Sequence, residues 1–209
     1  MAKGIRRIGP RVAIALTALA TVTADLNAQR AIPGAMLRAG TLSFVGHSTV
    51  GDFVGTTASV AGAVVGGSDL AAARGWAEAP AATLRTGNAR RDRDLRVALE
   101  SDRYPTIRFD VSEVRPAAAT PADSVSATLR GALVIHGVVR DVEVPATLVR
   151  RADTVRVTST FPLHLRDYRV GGLHKLFGLL RVRDDVQIHA DLRFVVTAPM
   201  AGHVAAPRE

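Results

Sequence analysis

The sequence predicts an all-β protein, an antiparallel barrel of about eight strands with one short inserted helix and an export signal in front. Three observations carry this. From Ala127 to Val149 two runs alternate apolar and polar residues about a reversal at Gly137 to Arg140, the period-2 mark of a half-buried hairpin. From Val186 to Val196 the alternation is cleaner still, with Val186, Ile188, Ala190, Leu192, Phe194 and Val196 opposite Gln187, His189, Asp191 and Arg193. One helix, over 88 to 99, is inserted between the third and fourth strands, without the strand-helix alternation that builds a parallel sheet. A two-sheet sandwich is the competing arrangement.

Taken in order, residues 1 to 28 read as a signal peptide. Lys3, Arg6, Arg7 and Arg11 form a basic start, and Val12 to Ala24 an apolar core too short to span a bilayer. Cleavage after Ala24 or after Ala28 fits, the second being preferred because polar Gln29 follows. Residues 29 to 38, with Pro33 and Gly34, are expected to be a linker, 39 to 198 the barrel domain, and 199 to 209 a disordered tail. Thr41 to Gly46 is the first strand. Val54 to Val65, rich in glycine and alanine, suggests a second, strongly curved strand, and Ala71 to Arg85 a third.

Asn88 is a helix N-cap, Asp92 and Asp94 suit the helix dipole, Leu95, Ala98 and Leu99 make the apolar stripe, and Pro105 ends the element. The mixed charges from Arg90 to Arg96 read as a salt-bridged helix face. Alternation returns over Thr106 to Val114, through the hairpin, and again at Val155, Val157 and Phe161. A long connection, Leu163 to Arg183, precedes the last strand.

Composition narrows the function. At 209 residues, 47% hydrophobic and 22% charged, the chain can bury one fair-sized core and is not generally disordered. With no cysteine there is no disulfide, thiolate nucleophile, thiolate metal site or lipidated cysteine. The formal charge of +8 falls to +5 once residues 1 to 28, with four cations and Asp25, are removed. Aromatics are only 4% and are not interleaved with basic residues, so nucleic-acid binding is not expected. No metal-protease helix, nucleophile elbow, phosphate loop or dinucleotide fingerprint occurs, so neither a catalytic residue nor a metal site is expected. The inward row of the strands includes Ala127, Gly131, Ala146, Ser159 and Ala190, small where a self-filled barrel would want leucine or isoleucine.

Several motifs, in order, complete the reading: Phe44-Val45-Gly46-His47 with Val50-Gly51-Asp52-Phe53; Thr86-Gly87-Asn88 followed by Arg91-Asp92 and Leu95-Arg96; Tyr104-Pro105-Thr106-Ile107-Arg108-Phe109; Gly131 to Val138; and Arg166-Asp167-Tyr168-Arg169-Val170. Together they resemble the YceI-like family of lipocalin-type proteins over most of residues 41 to 197. The resemblance implies a lipocalin-like barrel in an exported, periplasmic bacterial protein. It also implies binding of an isoprenoid lipid, such as a polyprenyl phosphate or isoprenoid quinone, and no catalysis and no cofactor. Asp94, where many relatives carry histidine, and the apolar, basic stretch 171 to 180 depart from the family pattern at the expense of the head group rather than the fold.

On that footing the expected lining is Phe44, Phe53, Phe109, Val111, Leu129, Leu133, Ile135, Val157, Phe161, Ile188, Leu192 and Phe194; the competing reading packs them as a closed core. Burying about 400 Å² of lipid tail gains about 10 kcal/mol gross, against about 1.5–3 kcal/mol for one charged head-group bond, so the tail sets affinity and the rim selectivity. Candidates for the head group or rim are Arg166, Arg169, His174, Lys175 and Arg181. They flank Leu173, Leu176, Phe177 and Leu180, which read either as a lid or peripheral membrane-docking turn or as a plug on one barrel end. The alternative to a lipid carrier is a structural or partner-binding envelope-stress barrel with a filled interior. Oligomeric state is left open, with a homodimer as one option.

Overall fold

The computed structural model describes residues 32–49, 51–117, 124–171 and 182–197; the expected signal peptide and tail lie outside them. Nine antiparallel strands form one sheet: β1 (Ala35–Ser48), β2 (Gly51–Thr57), β3 (Ala61–Val65), β4 (Arg74–Pro80), β5 (Thr106–Pro116), β6 (Ser124–Ile135), β7 (Val138–Arg151), β8 (Thr154–His164) and β9 (Val182–Val196). Helix α1 (Ala89–Ala98) lies between β4 and β5. The sheet closes because β1 also pairs with β9, from Ala35 opposite Val196 to Ser48 opposite Val182. That pairing decides for a barrel over a sandwich.

Nine segments fill eight places around the wall. On its other edge β1 pairs with β2 over Leu42 to Ser48 and with β3 at Ala35 and Met36, so β2 and β3 share one place. The single curved strand expected over 54 to 65 is therefore two strands. The break at Ala58 to Val60 is held by the Ser59 amide donating to Thr57 Oγ1 at 3.0 Å and the Val60 amide donating to the Ala58 carbonyl at 3.0 Å. Strand β1 also begins at Ala35, inside the stretch expected to be linker, because Ala35 and Leu37 bury their side chains against Phe194. The third expected strand, Ala71 to Arg85, shortens to β4 and a 3-10 turn over Ala81–Thr83.

Local chemistry explains the sharpest features. In register, Gly46 lies opposite Phe53 and Gly55 opposite Phe44, so each phenyl folds over the bare backbone of a glycine. The two rings then meet edge to face, 6.0 Å apart at 89°. The central hairpin turns on two residues, His136 and Gly137, both at positive φ (53° and 71°), which suits the twist of the strands and is tighter than the expected loop of 137 to 140. Helix α1 starts where expected, with Asn88 Oδ1 accepting from the amides of Arg90 and Arg91 at 3.0 and 3.1 Å. It ends at Ala98 rather than near Pro105, because Glu100 turns to φ 43° and the chain reverses through hydrogen bonds to Arg96 and Glu100.

The interior holds two apolar clusters. One gathers Leu84, Leu99, Leu133, Ile135, Tyr168 and Val186 beneath α1; the other, at the far end, is Ala35, Leu37 and Phe194. Among the described residues no large side chain is completely shielded from solvent, as a barrel with an internal void would leave it. The outer face is held by cross-strand ion pairs, including Arg108 with Glu78 at 2.8 Å and Arg156 with Asp191.

At Gly131 a Cβ would collide with the Asp110 carbonyl, beside the bulge in the β5–β6 pairing between Val111 and Glu113. Gly131→Ala is accordingly expected to lower stability by about 1–3 kcal/mol in urea unfolding. Gly171→Ala, whose Cβ would meet nothing within 4 Å, should leave the midpoint unchanged.

Candidate functional site

The barrel encloses a cavity with about 190 Å³ open to the centre of a water-sized sphere. At about 10–15 Å³ for each water-sized group, that is room for roughly a dozen to twenty carbon atoms, about three isoprene units. The lining is hydrocarbon except at Ser43, Glu78 and Arg91.

Eight of the sequence-predicted lining residues meet at this cavity: Phe44, Phe53, Phe109, Leu133, Ile135, Phe161, Ile188 and Leu192. The other four do not line it. Val157 packs against the cluster around Phe194 at the far end, and Phe194 is itself part of that cluster. Val111 and Leu129 are half-buried beside the β5–β6 bulge. Of the small residues expected to make room, only Ala190 faces the cavity. Ala127 and Ala146 are buried opposite one another in the β6–β7 pairing, Ser159 Oγ donates to the Pro145 carbonyl at 2.7 Å, and Gly131 is small because β5 crowds it.

Helix α1 and the 3-10 turn Leu165–Tyr168 supply wall that strand alternation does not reveal: Leu95 and Leu99 from the helix, and Leu165 and Val170 from the turn and just after it. The helical stripe was legible, but only as apolar. The helix is fixed by buried Asp92, whose Oδ1 accepts from the Thr86 amide at 2.7 Å and the Thr86 hydroxyl at 2.6 Å. Burial alone would push this carboxyl up, yet the two Thr86 hydrogen bonds, with the charges of Arg85 and Arg96, hold it below the ordinary aspartate range. Asp92 thus turns to the loop, where sequence reading had placed it in a salt-bridged face.

Arg91, on the same turn of α1, stacks its guanidinium 4.6 Å from the Phe53 ring centroid and donates from Nη2 to the Thr86 carbonyl at 2.8 Å. The hairpin tip braces this end: His136 Nδ1 donates to the Tyr168 carbonyl at 3.2 Å, Nε2 lies 3.1 Å from Glu100 Oε1, and the Tyr104 ring packs edge-on at 4.8 Å. Tyr168 is buried here, which, together with the Asp167 charge and against that of Arg140, pushes its phenol up to about 12. It therefore stays neutral.

Of the five expected head-group or rim residues, two are described. Arg166 is 73% exposed and pairs with Asp184 at 3.0 Å, and Arg169 is exposed at φ 56°; neither lines the cavity. His174, Lys175 and Arg181 lie outside the described residues. Among the described residues no three of His, Asp and Glu gather as a metal ion would need, and no helix is long and apolar enough to cross a membrane. His47 is tied to Asp52 at 2.8 Å, and His189 is hydrogen-bonded with Thr160 at 2.9 Å.

The sequence pattern of the YceI-like domain matches residues 37–194. A solved polyisoprenoid-binding domain from Saccharophagus degradans is similar in fold, with a TM-score of 0.67 at 16% identity over 79% of this chain and 99% of that one. So is BcnA of Burkholderia cenocepacia, at 0.63 and 20% identity over 74% of this chain and 95% of that one. No curated protein matches.

The Asp92 contact has a pH signature. Because the folded carboxyl sits below its unfolded value, its contribution is present above about pH 4 and fades as the pH falls further. Asp92→Asn should therefore cost about 1–3 kcal/mol at pH 7, and the gap to the wild type should narrow below about pH 4 in chemical denaturation.

Proposed function

The chain belongs to the YceI-like family, and we propose from that premise that it is a non-enzymatic binding protein for an isoprenoid lipid, held by its tail inside the barrel and carried in the periplasm. The observation that carries this reading is the apolar void of about 190 Å³. A barrel whose apolar interior is not filled by its own described side chains has room for a hydrophobic ligand. Hydrocarbon is the chemistry that suits the lining, and the branched tail of an isoprenoid presents methyl groups to a wall of phenylalanine, leucine and isoleucine side chains. The name of the Saccharophagus degradans domain points the same way. Three isoprene units fit as the walls stand, so a longer chain extends beyond the cavity or displaces its lining. The filled-barrel alternative has less support, since the interior is neither solid nor polar.

Export belongs to the same proposal. It is supported by the basic start and short apolar core of residues 1 to 28, and a carrier in the periplasm would meet lipid at either membrane face. Peripheral contact with a membrane, and selection among head groups by the rim, complete the reading.

Native mass spectrometry of protein recovered from the periplasm tests it: an extractable apolar adduct of isoprenoid mass supports carriage, and bare protein that also refuses added farnesyl lipids refutes it. Ala190, on β9 between Leu42 of β1 and Ser159 of β8, is the position to fill. Ala190→Leu should raise the melting temperature of the lipid-free protein and weaken farnesyl-lipid uptake about tenfold or more.

A further inference from the structure

Two charged residues contribute to the cavity wall, and they differ in where the charge lies: that of Glu78 is turned to the outer face. Glu78 is paired with Arg108, which also holds Asp110 and stacks over Trp76. Among the described residues Arg91 pairs with no carboxylate, and its neighbour Asp92 is taken up by Thr86. One nitrogen, Nη2, donates to the Thr86 carbonyl, whereas Nε is buried with no hydrogen-bond partner among the described residues. One turn further along α1, Asp94 Oδ2 is also buried without a partner. The guanidinium thus borders an apolar cavity with its hydrogen-bonding capacity partly unused, which is unfavourable unless something that enters the cavity brings an acceptor to its open edge.

We propose that Arg91 receives the oxygen of the bound molecule, so that the ligand is an amphiphile whose chain lies in the cavity and whose carbonyl, carboxylate or phosphate oxygen meets the guanidinium at the α1 end. This rests on the reading of the barrel as a lipid carrier and adds an orientation and a selectivity to it. The head group sits beneath α1 rather than at the exposed arginines of the 165–169 turn, where Arg166 is already paired with Asp184. Phe53, stacked on the guanidinium, holds it in place and keeps water from its face, which strengthens a charge-assisted bond. A plain hydrocarbon of the same length offers the guanidinium no acceptor and binds less well.

The test uses three fifteen-carbon probes, farnesyl phosphate, farnesal and farnesene, in competition on the full-length mature protein, read by native mass spectrometry. The wild type should favour farnesyl phosphate and farnesal over farnesene, by about tenfold or more for the phosphate, and the ranking of the two oxygen-bearing probes tells an anionic head from a carbonyl. Arg91→Gln should bring the three within about twofold of one another while farnesene binding is retained. A folded Arg91→Gln protein with the wild-type preference overturns the inference and leaves lipid carriage standing, whereas a wild type that takes up none of the probes overturns carriage itself. Should the variant fail to fold, the Nε–Hε resonance of Arg91 in arginine-labelled wild type decides: a shift with farnesyl phosphate or farnesal but not with farnesene supports the contact, and identical responses to all three refute it.

Discussion

The ladder between β1 and β9 is the constraint on which the molecule depends. Without it the strands would form an open sheet with two unpaired edges, and the inward row would have nothing to enclose. With it, the apolar faces of eight strand positions converge on a common axis. Nothing in the pairing requires the centre to be filled, and phenylalanines supported on glycines hold the wall outward. The interior void is thus a product of closure and of aromatic packing along the wall, more than of small side chains within it.

That distinction also marks what could be read from the sequence. Alternation assigns a residue to a face, and it did so for Leu133, Ile135, Phe161 and Ile188. It does not assign a height along the barrel axis. Phe194 and Val157 share the inward face with Ile188 and Phe161 but lie several residues along their strands, in the cluster at the opposite end. Gly131 shows a second limit. A glycine on the inward row can mean space for a guest or the close approach of a neighbouring backbone, and only the β5 bulge reveals that the second holds here.

The helix was legible in its cap and stripe and illegible in its role. Asn88 and the Leu95–Leu99 spacing follow from local chemistry, so the sequence contains them. What the helix covers is set by contacts with residues far along the chain: Phe53 under Arg91, and Glu100, just past the helix, against His136. A cluster of arginines and aspartates looks the same on paper whether it is solvated or folded over a cavity. The difference lies in Thr86, which takes up Asp92 and so leaves Arg91 without its nearest counter-charge. The arginine-rich connection, by contrast, drew attention through its density of charge, yet its described members face solvent or a nearby acid.

The shared place of β2 and β3 makes the wall uneven in strength. Elsewhere adjacent strands are stitched by long ladders, such as the twelve-residue register of β6 with β7. Beyond its pairing with β1, β2 is fastened to the chain after β4 by the mutual backbone hydrogen bonds of Thr56 and Arg85 and by the hydroxyl contact of Thr57 with Thr83. Val60, in the gap between the two strands, already borders the cavity. A seam held by so few bonds is where the staves part at least expense, sideways, with the remaining hoop intact.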